Sequence, residues 1–66
     1  MVVRVNGTSR ELPDGSTLEG VLDLFHLAKK SVVFELNHQV VDRNTYSLTK
    51  LKEGDTLEIV HFVGGG

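Results

Sequence analysis

Two residues near the start of the chain, Asn6-Gly7, narrow its possible folds more than any other feature. Asn and Gly both tolerate the positive φ that a type I′ turn requires at its two central positions. Set between Val3-Arg4-Val5 and the stretch Thr8 to Leu12, they predict a two-residue β-hairpin. The chain therefore opens as an antiparallel pair, and its remaining elements must pack on that pair. Pro13-Asp14-Gly15 predicts a second turn, and Ser16 with Glu19 three residues later has the capping-box pattern that starts a helix. Leu18, Val21, Leu22 and Phe25 then recur at helical spacing, with Leu24, Leu27 and Ala28 widening the stripe, so a helix over 17–28 is expected. Gly20 inside it costs about 1 kcal/mol relative to alanine, which close approach of helix to sheet would explain. Lys29-Lys30 would complement the negative end of the helix dipole.

Val32 to Leu36 is rich in β-branched and aromatic residues and predicts a third strand, closed by Asn37-His38-Gln39 and followed by a short Val40-Val41 segment. Asp42 to Lys50 has no clean period and is expected to be irregular, with Tyr46, Leu48 and Leu51 tucked under the sheet. Glu53-Gly54-Asp55 predicts a turn before the last strand, Thr56 to Val63. A hairpin, one crossing helix and further strands make an α+β domain, with the helix packed across one face of a mixed sheet of four to five strands. The domain is expected over 1–63, with 64–66 as a flexible glycine tail.

Strand parity divides the apolar residues between two faces. Glu58 marks the wet face of the last strand, which sends Leu57 and Ile59 to the core and leaves Val60 and Phe62 outside. In the third strand Phe34 and Leu36 point inward, and Val33 and Glu35 outward. Val33, Val60 and Phe62 are thus the candidate partner-binding residues, a stripe leading straight into Gly64-Gly65-Gly66. The alternative is that Phe62 is covered by a neighbouring loop. Without Cβ atoms the glycines make a thin thread reaching roughly 10 Å beyond the strand, ending in a carboxylate able to enter a narrow cleft on another protein. The same glycines also read as a frayed end or linker remnant.

With 66 residues, 39% of them apolar, the chain can form one core but has none left to enclose a large substrate pocket, which argues against an independent enzyme. The absence of cysteine removes disulfides, thiolate metal sites and cysteine nucleophiles, and fits a reducing compartment. No apolar run is long enough to span a membrane and the first residues lack a secretory layout, so the cytoplasm is the expectation; the chain is separately expected to be a monomer. Seven scattered basic residues against nine acidic ones leave a net charge of -2, without the clustered positive face that nucleic acid requires.

Other candidate chemistry falls away on spacing. The glycine run lacks the Lys, hydroxyl and following helix of a phosphate-binding loop. His26, His38 and His61 have no ligand spacing, so no metal site is expected. Glu58 and His61, three apart on a strand, face opposite sides, and Ser16 has no adjacent histidine to activate it.

The whole chain resembles the ThiS family, the sulfur carriers of thiamine biosynthesis within the ubiquitin-like β-grasp group. The matching pieces are the opening strand ending in Asn6-Gly7, the helix start Leu18-Glu19-Gly20-Val21-Leu22 and the strand Phe34-Glu35-Leu36-Asn37. The Glu53-Gly54-Asp55 turn and the ending Ile59-Val60-His61-Phe62-Val63-Gly64-Gly65-Gly66 complete them. The resemblance implies that Gly66 is adenylated by a ThiF-like enzyme using ATP and Mg²⁺, neither bound by this chain. It further implies conversion to a thiocarboxylate with sulfur from a donor protein, and delivery to a ThiG-like thiazole synthase. Gly65 belongs to the required Gly-Gly ending, and Gly64 exceeds the two-glycine minimum. Two other readings stand beside it: another β-grasp carrier, such as a molybdopterin-synthase small subunit or a ubiquitin-like modifier, or an interaction module with inert glycines. Against ubiquitin, the approach to the glycines is His61-Phe62-Val63 rather than arginine-rich.

Overall fold

The computed structural model describes residues 1–61. Strands β1 (Val2–Val5) and β2 (Thr8–Glu11) form the expected hairpin, with Asn6 and Gly7 at φ 49° and 84°. The ladder runs one step past β2, because the Leu12 amide donates to the Met1 carbonyl at 2.8 Å. After helix α1 (Leu18–Leu24) come β3 (Val32–Leu36), the two-residue β4 (Gln39–Val40) and β5 (Thr56–His61). The sheet order is β2-β1-β5-β3-β4, with β5 parallel to β1 and the other neighbours antiparallel. One helix on a mixed five-stranded sheet is the expected architecture. Val3, Val5, Leu18, Val21, Val32, Phe34, Tyr46, Leu57 and Ile59 are among the core residues between the layers. At about 25 cal/mol per Å² their burial is the main stabilising term.

The helix departs from expectation at both ends. Its cap is Thr17, whose Oγ1 accepts the Gly20 amide at 3.1 Å, while the Ser16 hydroxyl donates to the Pro13 carbonyl. The reason is tertiary: the Leu18 and Glu19 amides donate to the carbonyls of Thr49 and Tyr46, so the 46–51 segment caps the helix that a Ser16 box was expected to cap. At the other end the Leu27 amide donates to the Leu22 carbonyl and the His26 amide to that of Asp23, a Schellman closure with His26 at φ 57°. The helix thus stops short of Ala28, and Leu24 and Ala28 are exposed. Lys29 and Lys30 lie in a separate 3-10 turn (Lys29–Ser31) and leave the last turn of α1 without a basic residue, contrary to the dipole reading. Gly20 is exposed, and a Cβ there would meet only Thr17 Oγ1 at 3.6 Å, so helix–sheet proximity does not account for it.

The stretch after β4 contains a 3-10 turn (Arg43–Thr45) and buries Tyr46 and Leu51 as expected, but Leu48 stands 79% exposed. This segment completes the sheet. Beyond the short β4, the Val41 amide donates to the Phe34 carbonyl at 3.0 Å, and the Phe34 amide donates to the Tyr46 hydroxyl at 3.2 Å. The Arg43 guanidinium donates to the Val32 carbonyl at 3.3 Å. Side chains therefore satisfy the part of the β3 edge that β4 is too short to cover.

Candidate functional site

Strand β5 is the element that leads to the candidate tail; β1 holds its start and β3 pairs with it from Leu57 to His61. On one side the Arg4 amide donates to the Asp55 carbonyl and the Asn6 amide to that of Leu57, both at 2.9 Å. Asn6 also accepts the Ile59 amide through its side chain at 2.8 Å, so the hairpin residue doubles as a clamp on the last strand. On the other side five consecutive residues, Leu57 to His61, lie opposite Leu36 to Val32 in turn. At the start of β5, buried Asp55 accepts the Asn37 side chain at 3.1 Å and the Lys52 amide at 2.7 Å, and Asn37 Oδ1 accepts the Thr56 amide at 2.9 Å. These bonds tie the Asn37-His38 turn to the Glu53-Gly54-Asp55 turn. Register along β5 is thereby set at both ends.

The parity expected for these strands holds over the described residues. Leu57 and Ile59 are buried against the helix, while Glu58 and Val60 face outward, Val60 at 44% exposure. In β3, Val32 and Phe34 are fully buried, Leu36 packs half-buried against the core, and Val33 and Glu35 are half-buried on the outer face. Val33 lies directly opposite Val60, and Glu35 directly opposite Glu58. An apolar cross-strand pair thus sits next to a pair of like charges, which repel at this spacing. Val40, opposite Glu35 and 69% exposed, adds a third valine to this face. Its place follows from the two-residue Asn37-His38 loop, which pairs Leu36 with Gln39 and begins β4 one residue earlier than expected. Both loop residues take positive φ without a glycine, so the sequence signal for a tight hairpin was weak.

Phe62, Gly64, Gly65 and Gly66, the remaining candidate residues, lie outside the described residues. What can be placed is their point of departure: the outer-face Val33–Val60 pair is one residue from His61, where the described part of β5 ends. Glu58 and His61 occupy different registers, opposite Glu35 and Val32. Among the described residues there is no pocket and no cluster of three metal-binding side chains. No helix there is long and apolar enough to cross a membrane. What the described residues present is an outward surface on β3 and β5 beside the strand that leads to Phe62.

Comparison with known proteins gives a consistent set of relatives. The model of the ThiS family matches residues 3–66. The chain is 38% identical over 53 residues to the sulfur carrier protein ThiS of Bacillus subtilis, covering 80% of each. It is 42% identical over its full length to a thiazole synthase of Magnetococcus marinus, of which it spans only 20%. Its fold matches the crystal structure of a thiamine biosynthesis protein (ThiS) from Geobacter metallireducens with a TM-score of 0.85 at 30% identity, covering all of both chains. The mixed five-stranded sheet with one helix is therefore a ubiquitin-like β-grasp fold.

Proposed function

The chain belongs to the ThiS family, small sulfur carriers of thiamine biosynthesis rather than catalysts, and from that premise we propose that the C-terminal carboxylate of Gly66 is its chemically active group. A chain-end carboxyl, with a reference pKa of about 3.3 to 3.7, is ionised at neutral pH. One of its oxygens attacks the α-phosphorus of ATP in a ThiF-like enzyme, and pyrophosphate leaves. The resulting acyl adenylate has a good leaving group. Sulfide released by a donor protein then attacks the acyl carbon as HS⁻, AMP departs with the bonding electron pair, and loss of the S–H proton leaves a thiocarboxylate for a thiazole synthase to consume. The match to a fifth of a thiazole synthase supports that last partner, since carrier-like and synthase sequence share one chain there.

The carrier supplies no catalytic group in this scheme. Phosphate binding, Mg²⁺ and charge stabilisation belong to the activating enzyme. Glycines at Gly64, Gly65 and Gly66 suit passage through a narrow cleft, because a Cβ would crowd the attack on the acyl carbon. Val33 and Val60, with Phe62 beyond them in the sequence, form the docking surface. The observation that carries the reading is the partly exposed valine pair one residue from the end of the described part of β5, with the Gly64-Gly65-Gly66 run following in the sequence. Intact mass after incubation with ATP, the ThiF-like enzyme and a sulfur donor tests it: the expected gain equals replacement of one oxygen by sulfur. Deleting Gly66 is expected to abolish ATP–pyrophosphate exchange while leaving thermal unfolding unchanged. Exchange that survives the deletion refutes the assignment.

A further inference from the structure

Positive charge gathers where the last strand ends. Lys29 and Lys30 form the 3-10 turn immediately before Val32, and Arg43 donates to the Val32 carbonyl. Val32 in turn lies opposite His61. Three of the seven Lys and Arg residues of a net-negative chain therefore flank one residue pair. Lys29 reaches over the Tyr46 ring, 6.0 Å from its centroid, so its turn and the Arg43 turn meet around the same aromatic. The main-chain amine of Met1 with Asp14 is the one ion pair among the described residues, so none of these three cations is neutralised there. The buried Nε of Arg43 also has no acceptor among them. Lys29 and Lys30 are exposed.

We propose that Lys29, Lys30 and Arg43 form a cationic collar that docks on an acidic rim around the cleft of the activating enzyme; this rests on the carrier reading above. Distance selects the occupant. Residues 62–66 separate His61 from the carboxylate, a span of roughly 17 Å when drawn out into a narrow cleft. A lysine or arginine side chain does not bridge that gap, so the collar meets the mouth of the cleft and not the nucleotide at its end. Carboxylates on the partner are the chemistry that complements ammonium and guanidinium groups with no ion-pair partner among the described residues. Such charges act mainly by steering encounter, so their effect falls on the association rate and is screened by salt.

The test is stopped-flow association of the chain with its ThiF-like enzyme across a range of ionic strength, alongside ATP–pyrophosphate exchange. Lys29→Glu/Lys30→Glu is compared with Lys50→Glu/Lys52→Glu, an equal charge change on exposed residues before the opposite end of β5. The first pair is expected to slow association about tenfold or more at low salt and to flatten its salt dependence, and the second to slow it by less than about threefold. Lys29→Gln/Lys30→Gln, a smaller charge change less able to disturb the fold, is expected to give an intermediate slowing. Equal slowing by both Glu pairs, or an unaltered salt slope in Lys29→Glu/Lys30→Glu, overturns the collar while exchange by the wild-type chain continues. Absence of exchange by the wild-type chain sinks the carrier reading, and the collar with it.

Discussion

Replacing Tyr46 with phenylalanine isolates a single oxygen whose loss the structure makes costly. Tyr46 and Phe34 are both fully buried, their rings 4.9 Å apart and tilted by 59°, and the substitution leaves that contact in place. What disappears is the acceptor for the Phe34 amide. That amide points to the side of β3 where β4 has already ended, so no ladder carbonyl takes its place. A buried donor left without a partner costs about 1–3 kcal/mol. At about 0.05–0.15 kcal/mol per residue, a chain of 66 residues has about 3–10 kcal/mol of stability in all. The substitution therefore removes a large share of the total, and at roughly 4–8 °C per kcal/mol Tm should fall by at least about 4 °C. Urea unfolding is the assay, with the midpoint lowered and the m-value unchanged, and amide exchange at Phe34 should accelerate relative to Ile59. A loss under about 0.5 kcal/mol with Phe34 still protected would show that the hydroxyl is not what seals this edge.

Three further outcomes rest on particular residues. His26→Gly relieves a left-handed residue at the close of α1 and should stabilise the chain by about 0.5–1 kcal/mol in the same urea experiment, with destabilisation counting against the Schellman closure. Val60→Asp, at a position 44% exposed, should cost no more than about 1 kcal/mol of stability yet cut ATP–pyrophosphate exchange with the ThiF-like enzyme; unchanged exchange would remove Val60 from the docking surface. The Met1 amine is held above its ordinary pKa of 8.0, first by its hydrogen bond to Asp14 and then by the charges of Asp14, Glu53 and Glu11, with burial acting the other way. Its raised folded value means that this contribution is complete below pH 8.0 and fades as pH climbs through the folded pKa. Asp14→Asn should flatten the alkaline decline in Tm, and an identical decline in both chains would dismiss the contact.

Local chemistry made the hairpin, the strand parity and the element order legible. Asn6-Gly7 carries its turn type in two residues, and Glu58 between Leu57 and Ile59 declares which side of β5 is wet. What escaped was set by contacts distant in sequence. The local capping-box signal favours Ser16 over Thr17, and the carbonyls of Tyr46 and Thr49 override it. The helix ends where His26 turns left-handed, at a residue that carries no stop signal of the glycine kind. That early stop carries Lys29 and Lys30 out of the helix into the turn before Val32, whose carbonyl Arg43 also reaches, a grouping visible only once Val32 is seen to be shared. Val33 and Val60 were recognisable from alternation alone, but that they face each other directly is a matter of register.

The placement of β5 between a parallel and an antiparallel neighbour has a mechanical consequence. Any enzyme that grips the chain beyond His61 and draws on it pulls along the axis of an interior strand. The bonds to β1 and β3 lie across that axis, so they bear the load together in shear instead of peeling away one at a time. An edge strand in the same role would unzip. Nearest the pulled end the load falls on the β3 ladder from Leu57 to His61, with β1 anchoring the start of the strand.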